Sequence, residues 1–200
     1  MNLIGARRRL LAVVCVGVAS AGTAHANDYR EKGKPVMVAN DTMQVIPARD
    51  WNKLGQRPGK KAEIWTLDGE QLNDVTFFGG IAPGEPLIRE RNKKREPLPK
   101  LGSAALLVEV PELLERTYRA ARGIGSFALL GSAPDRFLGK EGIRFTYEYV
   151  DADELPRKGE ARASLIGGRL YMVTFDAPRL HFFDKSLSDF RTLADGTSLK

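Results

Sequence analysis

The chain has 200 residues, 42% of them hydrophobic and 28% charged, with 31 lysines and arginines against 25 acids and a formal charge of +6. One cysteine and two histidines exclude an internal disulfide framework and leave few of the soft ligands that zinc sites use. At this length one domain is the natural count, and it can bury enough surface to stand on packing alone.

Residues 1–26 form the clearest pattern. Arg7, Arg8 and Arg9 precede the uncharged run Leu10–Ala21, which leads to Ala24-His25-Ala26 and then Asn27-Asp28. A basic start, a short apolar run and a small-x-small site are the three parts of a secretory signal peptide. The run has 12 residues, whereas a helix crossing a ~30 Å hydrocarbon core needs roughly 20. The expectation is an exported protein, periplasmic or secreted, cut after Ala26 and not transmembrane thereafter. The competing reading is a lipoprotein acylated at Cys15, against which Val14 stands where a small residue is wanted. Cleavage would leave 174 residues, a single histidine, His181, and a net charge of +3. That mild excess does not point to nucleic acid, which takes a concentrated basic face.

Along the rest of the chain, 27–41 reads as a flexible mature N-terminus and 42–47 as an edge strand ended by Pro47. Residues 62–67 and 71–78 flank Asp68-Gly69, a hairpin turn pair. The segment 79–102 is rich in glycine and proline and long for an unstructured connection. Pro111 suits the first turn of a helix carrying Leu113, Leu114, Tyr118 and Ala121, which Gly123 ends. Four strands follow, at 126–130, 143–151, 159–166 and 170–176, the last two joined by Gly167-Gly168. Ile143, Phe145, Tyr147 and Tyr149 share one face. Asp184 or Ser186 could cap a closing helix with Leu187, Phe190 and Leu193, ended by Gly196. The pattern predicts a single α+β domain over 42–196: a mostly antiparallel sheet of about six or seven strands with two main helices packed on it.

Pro47-x-x-x-Trp51 after the first strand, the strand Phe145-Thr146-Tyr147-Glu148-Tyr149, the strand Leu170–Phe175 and a helix with Phe190 and Leu193 together resemble the PsbP/Mog-like α/β/α sandwich superfamily. They also resemble exported or lipoprotein-type bacterial proteins. The resemblance covers mainly 42–54 and 126–195, and it implies a binding or assembly role rather than catalysis. It carries over no binding residue, because the insertion at 79–102 has no counterpart in the pattern.

Candidate chemistry is sparse. His181 has apolar neighbours and no His-x-x-His partner. Asp151, Asp153 and Glu154 fail the calcium-loop pattern, which would need glycine at Pro156 and glutamate at Arg162. Gly123-Ile124-Gly125-Ser126 fits neither a dinucleotide fingerprint nor a serine elbow. No cofactor is therefore expected. The segment that stands out is 89–100, with six basic and two acidic side chains. Arg89, Arg91, Lys93, Lys94 and Arg95 are the candidate partner-binding residues, their partner an anionic envelope component or an acidic protein surface. The alternatives are a solvated loop on a purely structural surface protein, or an envelope hydrolase working through carboxylates such as Glu148 and Glu160. Trp51 and Trp65 read as core.

Overall fold

The computed structural model describes residues 28–200, so the expected signal peptide, Cys15 and the expected cleavage site lie outside the described residues. Four short strands come first: β1 (Asp28–Arg30), β2 (Val36–Val38), β3 (Met43–Val45) and β4 (Trp51–Lys53). The hairpin β5 (Ala62–Thr66) and β6 (Asp74–Ile81) follows. After the long loop, helix α1 (Val110–Arg122) has Pro111 in its first turn and stops at left-handed Gly123, φ +62°. Four long strands complete the sheet: β7 (Ser126–Phe137), β8 (Lys140–Val150), β9 (Pro156–Ile166) and β10 (Arg169–Pro178). Helix α2 (Phe182–Asp195) and β11 (Thr197–Leu199) close the chain.

The eight-stranded sheet has the order β1-β4-β5-β6-β10-β9-β8-β7, and each neighbouring pair runs antiparallel. A separate three-stranded sheet has the order β11-β3-β2. Side chains alternate across a strand, and β10 shows the result. Leu170 and Met172 enter one core, while Val173, Phe175 and Ala177 enter another on the opposite face. The first core is closed by Leu114 and Tyr118 of α1 over Phe145, Tyr147 and Tyr149. The second is closed by Phe183, Phe190 and Leu193 of α2 over Trp65, Phe77 and Phe175, with Val38, Met43 and Val45 of the small sheet. At roughly 1.5–3 kcal/mol per large apolar side chain removed from water, both faces contribute to holding the sheet. Trp51 and Trp65 are core residues, as expected.

The architecture is α+β with two helices on a mostly antiparallel sheet, but eight strands plus three replace the expected six or seven. The extra strands are three residues long, too short to show an alternation. Two of them, β1 and β2, lie in the stretch 27–41 expected to be flexible, because β1 pairs with β4 and Val38 is buried. The strand at 42–47 is not an edge: β3 runs between β2 and β11. Strand β7 extends to Phe137, well past the expected end at 130. It is an exposed edge strand with a bulge between Leu129 and Gly131, so burial imposes no apolar pattern on it. At α2, His181 occupies the cap position with φ +69° and no side-chain cap bond, so Asp184 and Ser186 lie inside the helix. Gly167 and Gly168, at φ +58° and +71°, make the two-residue turn between β9 and β10.

Candidate functional site

On the α1 face, a cleft of about 860 Å³ opens between the end of α1 and the loop that follows β6. Its floor is set by the register of four strands. Tyr147 lies opposite Gly159, Gly159 opposite Asp176, and Asp176 opposite Asp74, so these four form one row across the sheet. Glycine is required in that row. A Cβ on Gly159 would stand 2.6 Å from the Tyr147 hydroxyl oxygen and closer still to the ring carbons Cζ and Cε2. Without it, the ring lies across β9 and Tyr147 donates to Asp176 Oδ1 at 3.0 Å. Tyr118, reaching down from α1, donates to Asp176 Oδ2 at 2.6 Å. The helix is thus bonded to the middle of the sheet through one buried carboxylate.

The next row pairs Tyr149 with Arg157. Arg157 Nε donates to the Tyr149 hydroxyl at 3.1 Å, and Arg157 Nη1 donates to the Gln71 carbonyl at 2.9 Å. Arg122, in the last turn of α1, donates to the same hydroxyl at 3.3 Å, with its guanidinium 4.0 Å from the centre of the Tyr118 ring. That is the arrangement of a cation over an aromatic face. Asp74 lies beside them, 6% exposed, with Oδ2 3.9 Å from Arg157 and Oδ1 without a hydrogen-bond partner. Burial, and then the charge of Asp176, push the Asp74 carboxyl up to about 7, against the pull of Arg122 and Arg157. Burial likewise raises Tyr149 far above the ordinary tyrosine range, so it remains a neutral phenol.

The walls combine apolar Ile64, Ile88 and Leu98 with Arg57, Arg89, Arg91, Glu70, Glu96 and Asp151. The loop is fastened at its base. Leu87, Leu98 and Leu101 are buried, and Gly84 N–H donates to the Leu101 carbonyl at 2.8 Å. Lys61 Nζ and the Ala82 N–H both donate to Glu85 Oε2, at 2.5 and 2.8 Å, and Arg89 N–H donates to the Pro58 carbonyl at 2.7 Å. Residues 91–97 form the exposed tip.

The candidates from the sequence divide accordingly. Arg89 and Arg91 line the cleft, whereas Lys93, Lys94 and Arg95 stand outside it on the tip. Glu148 and Glu160 lie on the opposite face of the sheet from Tyr147 and Tyr149. Each is held in an ion pair there, Glu148 with Arg179 at 3.4 Å and Glu160 with Arg191 at 2.6 Å. They do not converge on the cleft. Asp151 closes the β8–β9 turn by accepting from the N–H groups of Asp153 and Leu155, both at 3.0 Å. His181 is exposed at the start of α2. Asp74, Asp176, Arg122 and Arg157 were not anticipated. Their one signal was a charged residue on the inward phase of an otherwise apolar strand or helix. Among the described residues no cluster of three metal-ligating side chains converges, and no helix is long and apolar enough to cross a membrane.

No family model and no curated protein matches the chain. Solved structures do. The solution structure of cyanobacterial PsbP (CyanoP) from Synechocystis sp. PCC 6803 aligns with a TM-score of 0.50 at 14% identity, over 92% of this chain and 99% of that one. The Saccharomyces cerevisiae Ran-binding protein Mog1p aligns with a TM-score of 0.45 at 8% identity, over 88% and 96% of the two chains. LpqN of Mycobacterium tuberculosis, described as involved in cell envelope biogenesis, gives 0.33 and 9% over 87% and 91%. At these identities the likeness is one of fold, and the chain resembles the PsbP/Mog-like α/β/α sandwich to which its strand and helix pattern pointed.

Proposed function

We propose that this is an exported, non-enzymatic binding or assembly module of the cell envelope, docking on an anionic partner through the loop after β6. The observation that carries the reading is the presentation of that loop. Its base is clamped to the sheet, while Arg89, Arg91, Lys93, Lys94 and Arg95 are exposed. None of the five takes part in an ion pair among the described residues. A fixed base lowers the entropy lost when the tip is immobilised on a surface. Each cation held near an anionic membrane contributes about 1 kcal/mol, so Lys93, Lys94 and Arg95 together are worth roughly a hundredfold in binding.

The test is co-sedimentation of the mature protein with phosphatidylglycerol-containing vesicles, beside a pull-down from envelope extract for acidic protein partners. The expected result is binding that weakens steeply with salt, because a ~8 Å Debye length screens exposed charges. Changing Lys93, Lys94 and Arg95 together to serine should reduce it by about two orders of magnitude. Equal recovery of vesicles and extract proteins by both forms, at low and high salt, would leave the loop a solvated connection and refute the reading.

A further inference from the structure

We infer that the cleft beneath the loop is a second site, which binds a small organic oxyanion by seating its charged group on Arg122, Arg157 and the Tyr149 hydroxyl. Arg89 and Arg91 border both surfaces, but Lys93, Lys94 and Arg95 do not line this cleft, so the floor can be tested apart from the loop tip. At about 860 Å³ the cleft falls within the range of small-molecule sites, and it has their mixed character of apolar wall and few polar groups.

The hydrogen-bond inventory on the floor sets the sign of the ligand. Tyr149 accepts from two guanidiniums, and among the described residues its own O–H meets no acceptor. Among the same residues Arg122 donates only to that hydroxyl, although a guanidinium has five N–H groups. Arg157 Nη2 has only long contacts, with the Asp176 carbonyl at 3.5 Å and Asp74 Oδ2 at 3.9 Å. Donors are therefore in surplus on the floor, and since Arg57, Arg89 and Arg91 at the walls are matched by Glu70, Glu96 and Asp151, the floor sets the preference. An acceptor-rich anion satisfies the whole set through charge-assisted bonds.

Asp74, buried in the floor with Oδ1 unpartnered, fits the same ligand when it holds its proton and donates. The groups facing it are Asp176 from β10, Arg157 from β9, Tyr149 from β8, Arg122 and Tyr118 from α1, and Glu70 from the β5–β6 turn. On the floor a cation would meet two guanidiniums and a phenol O–H, with a carboxylate beside it only when Asp74 is ionised. The apolar residues Ile64, Ile88 and Leu98 then provide the surface for the body of the ligand.

The probes are benzoate and benzenesulfonate, planar and tetrahedral oxyanions that stay fully charged at pH 6 and pH 8, with phenethylammonium as the cation of similar shape. Calorimetric titration should show binding of at least one anion and none of the ammonium. Protonation of Asp74 near 7 makes the expected affinity about tenfold higher at pH 6 than at pH 8. Tyr149→Phe should weaken binding at least tenfold, the usual loss of a hydrogen bond to a charged group. Asp74→Asn should bind equally at both pH values. If Tyr149→Phe loses cooperative unfolding, Arg122→Gln replaces it. Tighter binding of phenethylammonium, heat from neither anion, or unchanged affinity in a folded Tyr149→Phe would overturn the assignment. Vesicle binding without anion binding would refute the cleft and spare the loop, and the converse would do the opposite.

Discussion

Asp74→Asn should abolish a pH dependence of stability that the wild-type protein shows between pH 5 and pH 8. The substitution keeps the side chain's shape and removes its charge. In the folded protein the Asp74 carboxyl is raised from 3.8 to about 7, burial being the main cause and Asp176 the next. A raised acid binds its proton more tightly in the folded state, so stability is greatest at low pH. It declines as pH rises through the interval between the two values and levels off above the higher one. At ~1.36 kcal/mol per unit, the full penalty is about 4 kcal/mol, of which about 3 kcal/mol is incurred between pH 5 and pH 8. Urea denaturation at constant ionic strength, at pH 5, 6, 7 and 8, measures it directly. Wild type should lose stability across the series while Asp74→Asn stays nearly level and is the more stable of the two at pH 8. A wild-type midpoint that does not move, or a variant with the same slope as wild type, would show that Asp74 ionises without penalty.

Three further outcomes are expected. Gly159→Ala should destabilise by at least ~1–3 kcal/mol, the usual cost of overpacking, because the new methyl meets the Tyr147 ring; wild-type stability would mean that the ring can move aside. Phe145→Ala, in the core under α1, should cost ~3–5 kcal/mol in chemical denaturation, and a loss below about 1 kcal/mol would remove it from that core. Mass spectrometry of the exported form should find Asn27 at the N-terminus, whereas a diacylglyceryl mass on Cys15 would make the protein a lipoprotein.

What could be read from the sequence followed from how many residues report each feature. Strand β8 has four large side chains in one phase, Ile143, Phe145, Tyr147 and Tyr149, and all four are buried in one core. Pro111 and Gly123 bracket α1, and Gly167-Gly168 marks the turn between β9 and β10. By contrast, β1, β2 and β4 are three residues each, and their pairing is decided by tertiary partners. The cleft was out of reach for a different reason. Asp74, Arg122, Tyr149, Arg157 and Asp176 come from five separate elements, and nothing local to any of them reports its neighbours. The basic loop was visible because its charges are contiguous in sequence, yet only Arg89 and Arg91 of the five reach the cleft. Linear clustering thus located the exposed tip and missed the buried floor.

The small sheet joins distant parts of the chain. Strand β11 (Thr197–Leu199) pairs with β3 (Met43–Val45), and the whole of α1 and the long hairpins lie between them in sequence. The β3 side chains Met43 and Val45 belong to the core beneath α2. That core draws on residues from Val38 to Ala194, so no short stretch of chain closes it, and contacts of such long separation form slowly. The small sheet is therefore complete only when Thr197–Leu199, at the far end of the chain, has paired with Met43–Val45.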